Sequence, residues 1–127
     1  MAATRFEPLQ VDTAHSRCTE ADYKKMRQAG SGSQPGTFPR MCADCGTTSW
    51  SIFGFDERKY SKCLHETSGL SLPCASCYAG SGKFGFDYCK APCLFSWCSD
   101  SCLGCVAKYQ DHLDACVGDG PVLPCRP

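Results

Sequence analysis

Aliphatic side chains are scarce in this 127-residue chain. Val, Ile and Leu together number 13, no more than the cysteines, and the 7 Phe bring the large apolar total to only about 16%. So small a stock excludes a conventional aliphatic core, because ordering the backbone costs about 1–2 kcal/mol per residue. Excess charge is also missing: 13 Lys and Arg balance 13 Asp and Glu. A balanced surface removes the electrostatic basis for binding nucleic acid or an anionic membrane, and for cationic antimicrobial action. No apolar run approaches the roughly 20 residues of a membrane span. Low apolar content signals disorder when net charge is high. Here the net charge is zero, and cysteine takes the place of the missing core.

Thirteen cysteines in a chain this short mark a disulfide scaffold of the secreted type. Each disulfide restricts the unfolded chain and contributes about 2–4 kcal/mol. The expected fold is a small cysteine-rich, disulfide-stabilised domain, irregular α+β or mainly α. Five or six disulfides are drawn from Cys18, Cys42, Cys45, Cys63, Cys74, Cys77, Cys89, Cys93, Cys98, Cys102, Cys105 and Cys116. Their connectivity is not readable from spacing. The odd count leaves one cysteine over. Cys125, in the Pro-rich "GDGPVLPCRP", is the expected unpaired residue, with Cys18 second, and it is open to an intermolecular disulfide. An extended arm (1–17), one domain (18–117) and a Pro-rich tail (118–127) follow from this layout. The opening "MAATRFEPLQVDTAH" has no basic start followed by an apolar stretch. An extracellular or oxidising-lumen location therefore assumes a removed presequence, whereas a cytosolic location goes with metal-bound cysteines.

Local signals place several elements. Thr19 and Asp22 make a capping pair and Gly30 a stop, which predicts a helix at 20–29. "GSGSQPGTFPR" reads as a flexible linker, "TTSWSIFGF" as a short strand or hairpin, and "DERKYSKCLHE" as a short helix. The glycines of "AGSGKFG" read as turns and lack the Lys-Ser/Thr of a phosphate-binding loop. From Pro92 to near Gly118, Cys98, Cys102, Cys105, Tyr109 and Cys116 recur at helical spacing. This predicts one C-terminal helix carrying a cysteine stripe, with Gly104 as a site of close packing. Cysteines one turn apart do not readily bond each other. Each stripe cysteine should reach a partner outside the helix, many of them among the C-A-x-C units and Cys63.

Two stretches share a pattern. "CADCGTTSWSIFGFD" begins at Cys42 and "CASCYAGSGKFGFD" at Cys74, and both run from C-A-x-C to F-G-F-D. They read as two copies of one stapled loop, each with its own aromatic plug. Phe53, Phe55, Phe84 and Phe86 are too large a share of the apolar material to leave on the surface, which favours a small aromatic core. The alternative is contact with an unidentified protein partner.

Three chemistries compete for the cysteines. Disulfides explain most of them and suit a non-enzymatic structural or protein-binding module, secreted or an accessory subunit of a larger assembly, needing no cofactor. The alternative is a zinc-binding module, with Cys42, Cys45, Cys74 and Cys77 forming C-x2-C…C-x2-C around one ion. Thiol–disulfide redox chemistry comes third, since a C-x2-C pair at a helix N-terminus has an acidified thiol. "CADCG" with Trp50 resembles the start of the zinc finger of Arf GTPase-activating proteins over about ten residues, but Cys63 is followed by "LHE" where that family has its second pair. "WCSDSCLGC" resembles the end of the ShK toxin module, although four cysteines stand upstream where three are needed. Neither resemblance carries its function to this chain. The spacing from Cys89 to Cys98 is C-x8-C, one residue short of mitochondrial twin C-x9-C helices. His15 and His112 read as surface residues, and no acid–base or nucleophile motif stands out.

Overall fold

A computed structural model describes residues 16–94 and 96–125, which include all thirteen cysteines. The described chain is mostly helical. Helix α1 spans Glu20–Ala29, and its N-terminus forms a complete capping box. The Thr19 side chain accepts from the Asp22 N–H, and the Asp22 carboxylate accepts from the Thr19 N–H. Gly30 ends the helix at φ 80°, where its N–H donates to the Met26 carbonyl. Turns lead into α2 (Phe38–Ser49), which begins with Pro39 in its first turn. Strands β1 (Trp50–Ser51) and β2 (Gly54–Phe55) form a small antiparallel hairpin, with Trp50 opposite Phe55. Helix α3 (Glu57–Ser68) is capped by Asp56 and closed by Gly69.

Helix α4 (Leu72–Tyr88) is the central element, packed against α2, α3 and the hairpin, and against the helices that follow. Ser71 caps it and Pro73 sits in its first turn. The stretch read as glycine turns is therefore helical. Its glycines are spacers. A methyl group built on Gly82 would sit 2.7 Å from the Phe55 ring, and one on Gly80 would sit 2.6 Å from the Tyr109 hydroxyl. These approaches offset the roughly 1 kcal/mol that each glycine costs a helix.

The C-terminal part is not one helix. It divides into α5 (Lys90–Cys93), α6 (Asp100–Val106), a single 3₁₀ turn (Ala107–Tyr109) and α7 (Gln110–Val117). Ser99 caps α6 by accepting from the Cys102 N–H. Disulfide closure explains the break. In a continuous helix Cys93 and Cys102 would lie about 13 Å apart, and Cys89 and Cys105 about 24 Å apart. Both pairs are bonded, with Cα separations of 4.7 and 5.8 Å. Gly104 has no atom within 4 Å of where a side chain would begin, so it serves no close contact.

Six disulfides form two nested sets. Cys45–Cys63 lies within the loop closed by Cys18–Cys74. Cys93–Cys102 lies within Cys89–Cys105, which lies within Cys77–Cys116. Cys98–Cys125 crosses this second set. Of the expected arm, only Ser16 and Arg17 are described, and the Arg17 N–H donates to the Cys116 carbonyl at 2.8 Å. The tail from Gly118 to Cys125 lies against the body. Its Pro124 carbonyl accepts from the Gly32 N–H at 2.9 Å, and Cys98–Cys125 anchors its end.

The core is built from Tyr23, Met26, Phe38, Tyr60, Leu64 and Leu70 together with half a dozen cysteines. The four phenylalanines of the repeat are not its centre. Phe53 is 93% exposed at the hairpin tip, while Phe55, Phe84 and Phe86 are half-buried. The two F-G-F-D copies also differ in conformation. The first lies in the hairpin, with Gly54 at φ 135°, and the second lies inside α4. Only Phe55 and Phe86 meet, at a ring separation of 6.2 Å, in a cluster with Trp50 and Tyr60.

Asp22 joins the first and fourth helices. Beyond its capping contact, it accepts from the Ser71 N–H at 2.8 Å and the Ser71 hydroxyl at 2.9 Å. Burial acts to raise its pKa, but the hydrogen bonds from Ser71 and Thr19 outweigh burial and hold it below 3.8. A folded pKa below the unfolded value stabilises the fold above the unfolded pKa, and that stability is lost as pH falls through the folded value. Asp22→Asn should lower stability at pH 7 by about 1.5–3 kcal/mol. It should also flatten the loss of stability between about pH 4 and 2, as read by urea unfolding at a series of pH values. The glycines give predictions of opposite sign. Gly104→Ala should stabilise by about 0.5–1 kcal/mol. Gly82→Ala should destabilise by about 1–2 kcal/mol by displacing Phe55.

Candidate functional site

Both C-A-x-C units lie in helices with proline in the first turn, the first in the middle of α2 and the second in the first two turns of α4. Residues three apart on a helix lie on neighbouring positions of one face. In α4 both cysteines are bonded, Cys74 back to Cys18 and Cys77 forward to Cys116. In α2 only Cys45 is bonded, to Cys63 on α3. Neither unit closes a disulfide within itself, so neither is an oxidised C-x2-C redox pair. The two units also differ in their partners, which overturns their reading as copies of one stapled loop.

Three of the four residues grouped as a zinc set, Cys45, Cys74 and Cys77, have their sulfurs in disulfides with three different partners. A thiolate ligand requires a free sulfur, so these residues do not converge as a ligand set. Among the described residues, Cys18, Asp22 and Cys74 bring ligand atoms within 4.8 Å of one another. There the two sulfurs are bonded to each other, and the carboxylate is engaged by Thr19 and Ser71.

The unpaired residue is Cys42, not Cys125. Cys125 lies in the tail, but the tail folds back along the body and brings it to Cys98, at a Cα separation of 5.9 Å. Cys42 faces the aromatic side of the molecule, where Tyr60 donates to its carbonyl oxygen at 3.0 Å. Burial pushes the Cys42 thiol up to about 12, and burial likewise raises the Tyr60 and Tyr78 hydroxyls above their ordinary range. All three groups are neutral at physiological pH. A protonated thiol is a poor nucleophile.

The stripe cysteines do not share one helix: Cys98 lies in a turn, Cys102 and Cys105 lie in α6 and Cys116 in α7, and Cys102 pairs with a cysteine of the stretch expected to be helical with it. Cys102 reaches Cys93, Cys105 reaches Cys89, and Cys98 reaches Cys125. Only Cys116 draws on a C-A-x-C unit, through Cys77. Spacing carries no signal that could have singled out Cys42, because its neighbour Cys45 shares the same local pattern.

Two surface features stand beside this framework. The hairpin tip presents Ile52 and Phe53, 94% and 93% exposed, side by side. Phe84, Tyr88, Tyr109 and His112 form a continuous row of rings along α4 and the start of α7, with centroids 4.9–5.3 Å apart. The remaining described histidine, His65, lies 2.6 Å through Nδ1 from the Leu70 carbonyl at the end of α3.

Alkylation in denaturant without reductant, followed by peptide mapping, should place a single label on Cys42 and none on Cys125. In the folded protein at pH 8 the same label should be incorporated on the order of a thousandfold more slowly, since little thiolate is present. No family model, curated protein or solved structure matches this chain.

Proposed function

We propose that this chain is a non-enzymatic, disulfide-stapled structural or protein-binding module of the extracellular space or another oxidising compartment. The observation that carries this reading is the pairing of twelve of the thirteen cysteines in six disulfides that join separate elements of one fold. A framework of this density suits an oxidising environment, because cytosolic thiol pools keep such cysteines reduced. The described part of the chain has no helix long and apolar enough to cross a membrane.

The non-catalytic reading draws support from the candidate reactive groups. Cys42 is held protonated, and His65 is engaged with a backbone carbonyl. The protein-binding reading draws support from the hairpin tip. Adjacent exposed Ile and Phe side chains on a short, braced hairpin are an apolar contact of the kind found at interface centres. Of the four phenylalanines in the repeat, Phe53 is the one free to serve it.

Intact mass under denaturing conditions tests the framework. The protein isolated without reductant should weigh about 12 Da less than its reduced form, two hydrogens for each disulfide, and should accept one alkyl group. If most cysteines alkylate without reductant, the disulfide reading fails, and metal content is the next measurement.

A further inference from the structure

Two clefts meet at Cys42. The first, of about 430 Å³, lies between α2, α4 and α6. Its walls include Gly46 of α2, Gly82 of α4, and Leu103 and Val106 of α6, with Trp50 and Trp97 at its edges. The second, of about 640 Å³, runs beneath the C-terminal tail, past Phe38, Leu113 and Val117. Pro39, Cys42, Tyr78, Leu103 and Cys125 line both clefts, so the two adjoin at these residues. Volumes of a few hundred Å³ lined mainly by apolar and aromatic groups are those of small-molecule sites.

The character of the lining selects the occupant. The first cleft contains no Asp, Glu, Lys or Arg, and its polar side-chain groups are hydroxyls, the indole N–H groups of Trp50 and Trp97, and a thiol. The second adds one ionisable side chain, Asp114, whose carboxylate accepts from Gln110 Nε2 at 2.8 Å. Neither lining offers a Lys, Arg or His side chain to pair an anion, and the exposed Asp114 carboxylate would repel one. The walls are also fixed in advance. Cys93–Cys102 ties α5 to α6, and Cys98–Cys125 anchors the end of the tail where it lines both clefts. A site held in its binding shape loses little entropy when it is filled.

We propose that the two adjoining clefts open into each other and together form a binding site for an uncharged, elongated apolar small molecule of the long-chain alcohol type. This goes beyond the structural or protein-binding reading and rests on different residues. The apolar chain lies along the α2–α4–α6 walls, and a neutral hydroxyl reaches the Gln110–Asp114 end, where an acceptor waits. The Cys42 thiol borders the junction as a small, uncharged group.

Two nearly isosteric fluorophores test charge and location together. N-phenyl-1-naphthylamine is neutral, and 1-anilinonaphthalene-8-sulfonate carries a sulfonate. The oxidised full-length chain should bind the neutral probe saturably at one site, and the anionic probe at least tenfold more weakly. Leu103→Trp fills the junction from α6. Gly46→Leu fills the first cleft from α2, where the new Cβ meets only the Tyr60 ring at an ordinary 3.8 Å. Each should weaken neutral-probe binding at least tenfold while intact mass and far-UV circular dichroism confirm the fold, so failure of one variant to fold leaves the other to decide. Phe53→Ser, at the exposed hairpin tip, should leave binding unchanged. The proposal is overturned by any of three results: non-saturable binding of the neutral probe, equal or tighter binding of the anionic probe, or unchanged affinity in a correctly folded blocking variant. Loss of binding in Phe53→Ser would also overturn it by placing the probe on the hairpin. None of these results alters the disulfide count, so the two readings fail independently.

Discussion

Two sulfurs within one turn of α4 fix where the rest of the chain lies. Cys74 binds the segment that leads into α1, and Cys77 binds α7 near the C-terminus. The helix therefore acts as a post with one cable to each end of the fold. Polar contacts follow the first cable. The Asp22 carboxylate bonds Ser71 beside the Cys18–Cys74 bridge, so the caps of α1 and α4 are joined through a single side chain. The second cable brings α7 against α4, and it also places Arg17 beside the Cys116 carbonyl. The hairpin and Tyr109 then settle over Gly82 and Gly80, where the missing side chains leave room for their rings.

This arrangement shows how a chain with 13 aliphatic Val, Ile and Leu residues reaches a defined fold. Of the six largest fully buried side chains, three are cysteines, Cys45, Cys74 and Cys89, beside Met26, Leu64 and Leu70. A half-cystine fills interior volume as a small apolar group and removes entropy from the unfolded chain as well. Aromatic rings add to this, from the buried Tyr23, Phe38 and Tyr60 out to the half-buried Trp50, Phe55 and Phe86. Trp50, Phe55, Tyr60 and Phe86 form one cluster, and Lys90 caps it with its ammonium 3.8 Å above the Phe86 ring.

What could be read from the sequence depended on the range of the interactions. Helix α1 was legible to its ends because Thr19, Asp22 and Gly30 act within a turn of where they stand. The hairpin and α3 were legible from local character as well, the aromatic and β-branched "TTSWSIFGF" and the helical spacing of Tyr60 and Leu64, while the caps Asp56 and Gly69 that set the ends of α3 emerge only in the structure. Helix α4 was not, since its glycines speak against a helix locally and are explained only by Phe55 and Tyr109, which arrive from elsewhere. The cysteine stripe misled in the opposite direction. Its period was genuine within α6, but the Cys93–Cys102 and Cys89–Cys105 bridges require the chain to reverse, and Ser99 restarts the helix. The identity of the free thiol depended on how the tail folds back, which no spacing encodes. The cleft was hidden for the same reason, being assembled from α2, α4, α6 and the tail.

The nesting of the bridges has a consequence for how the molecule would come apart. No bridge passes from the set that ends at Cys74 to the set that begins at Cys77. A backbone nick in the turns at 31–37, or in the loop before Ser99, leaves both fragments tethered by sulfur. A nick at Ala75 or Ser76 does not, and the oxidised protein would then fall into two covalently separate halves once its packing is undone. Covalently, the protein is two knots on one short cord. The cord is a single turn of helix in which Ala75 is fully buried, so the one place where cutting divides the molecule is among the places a protease reaches least.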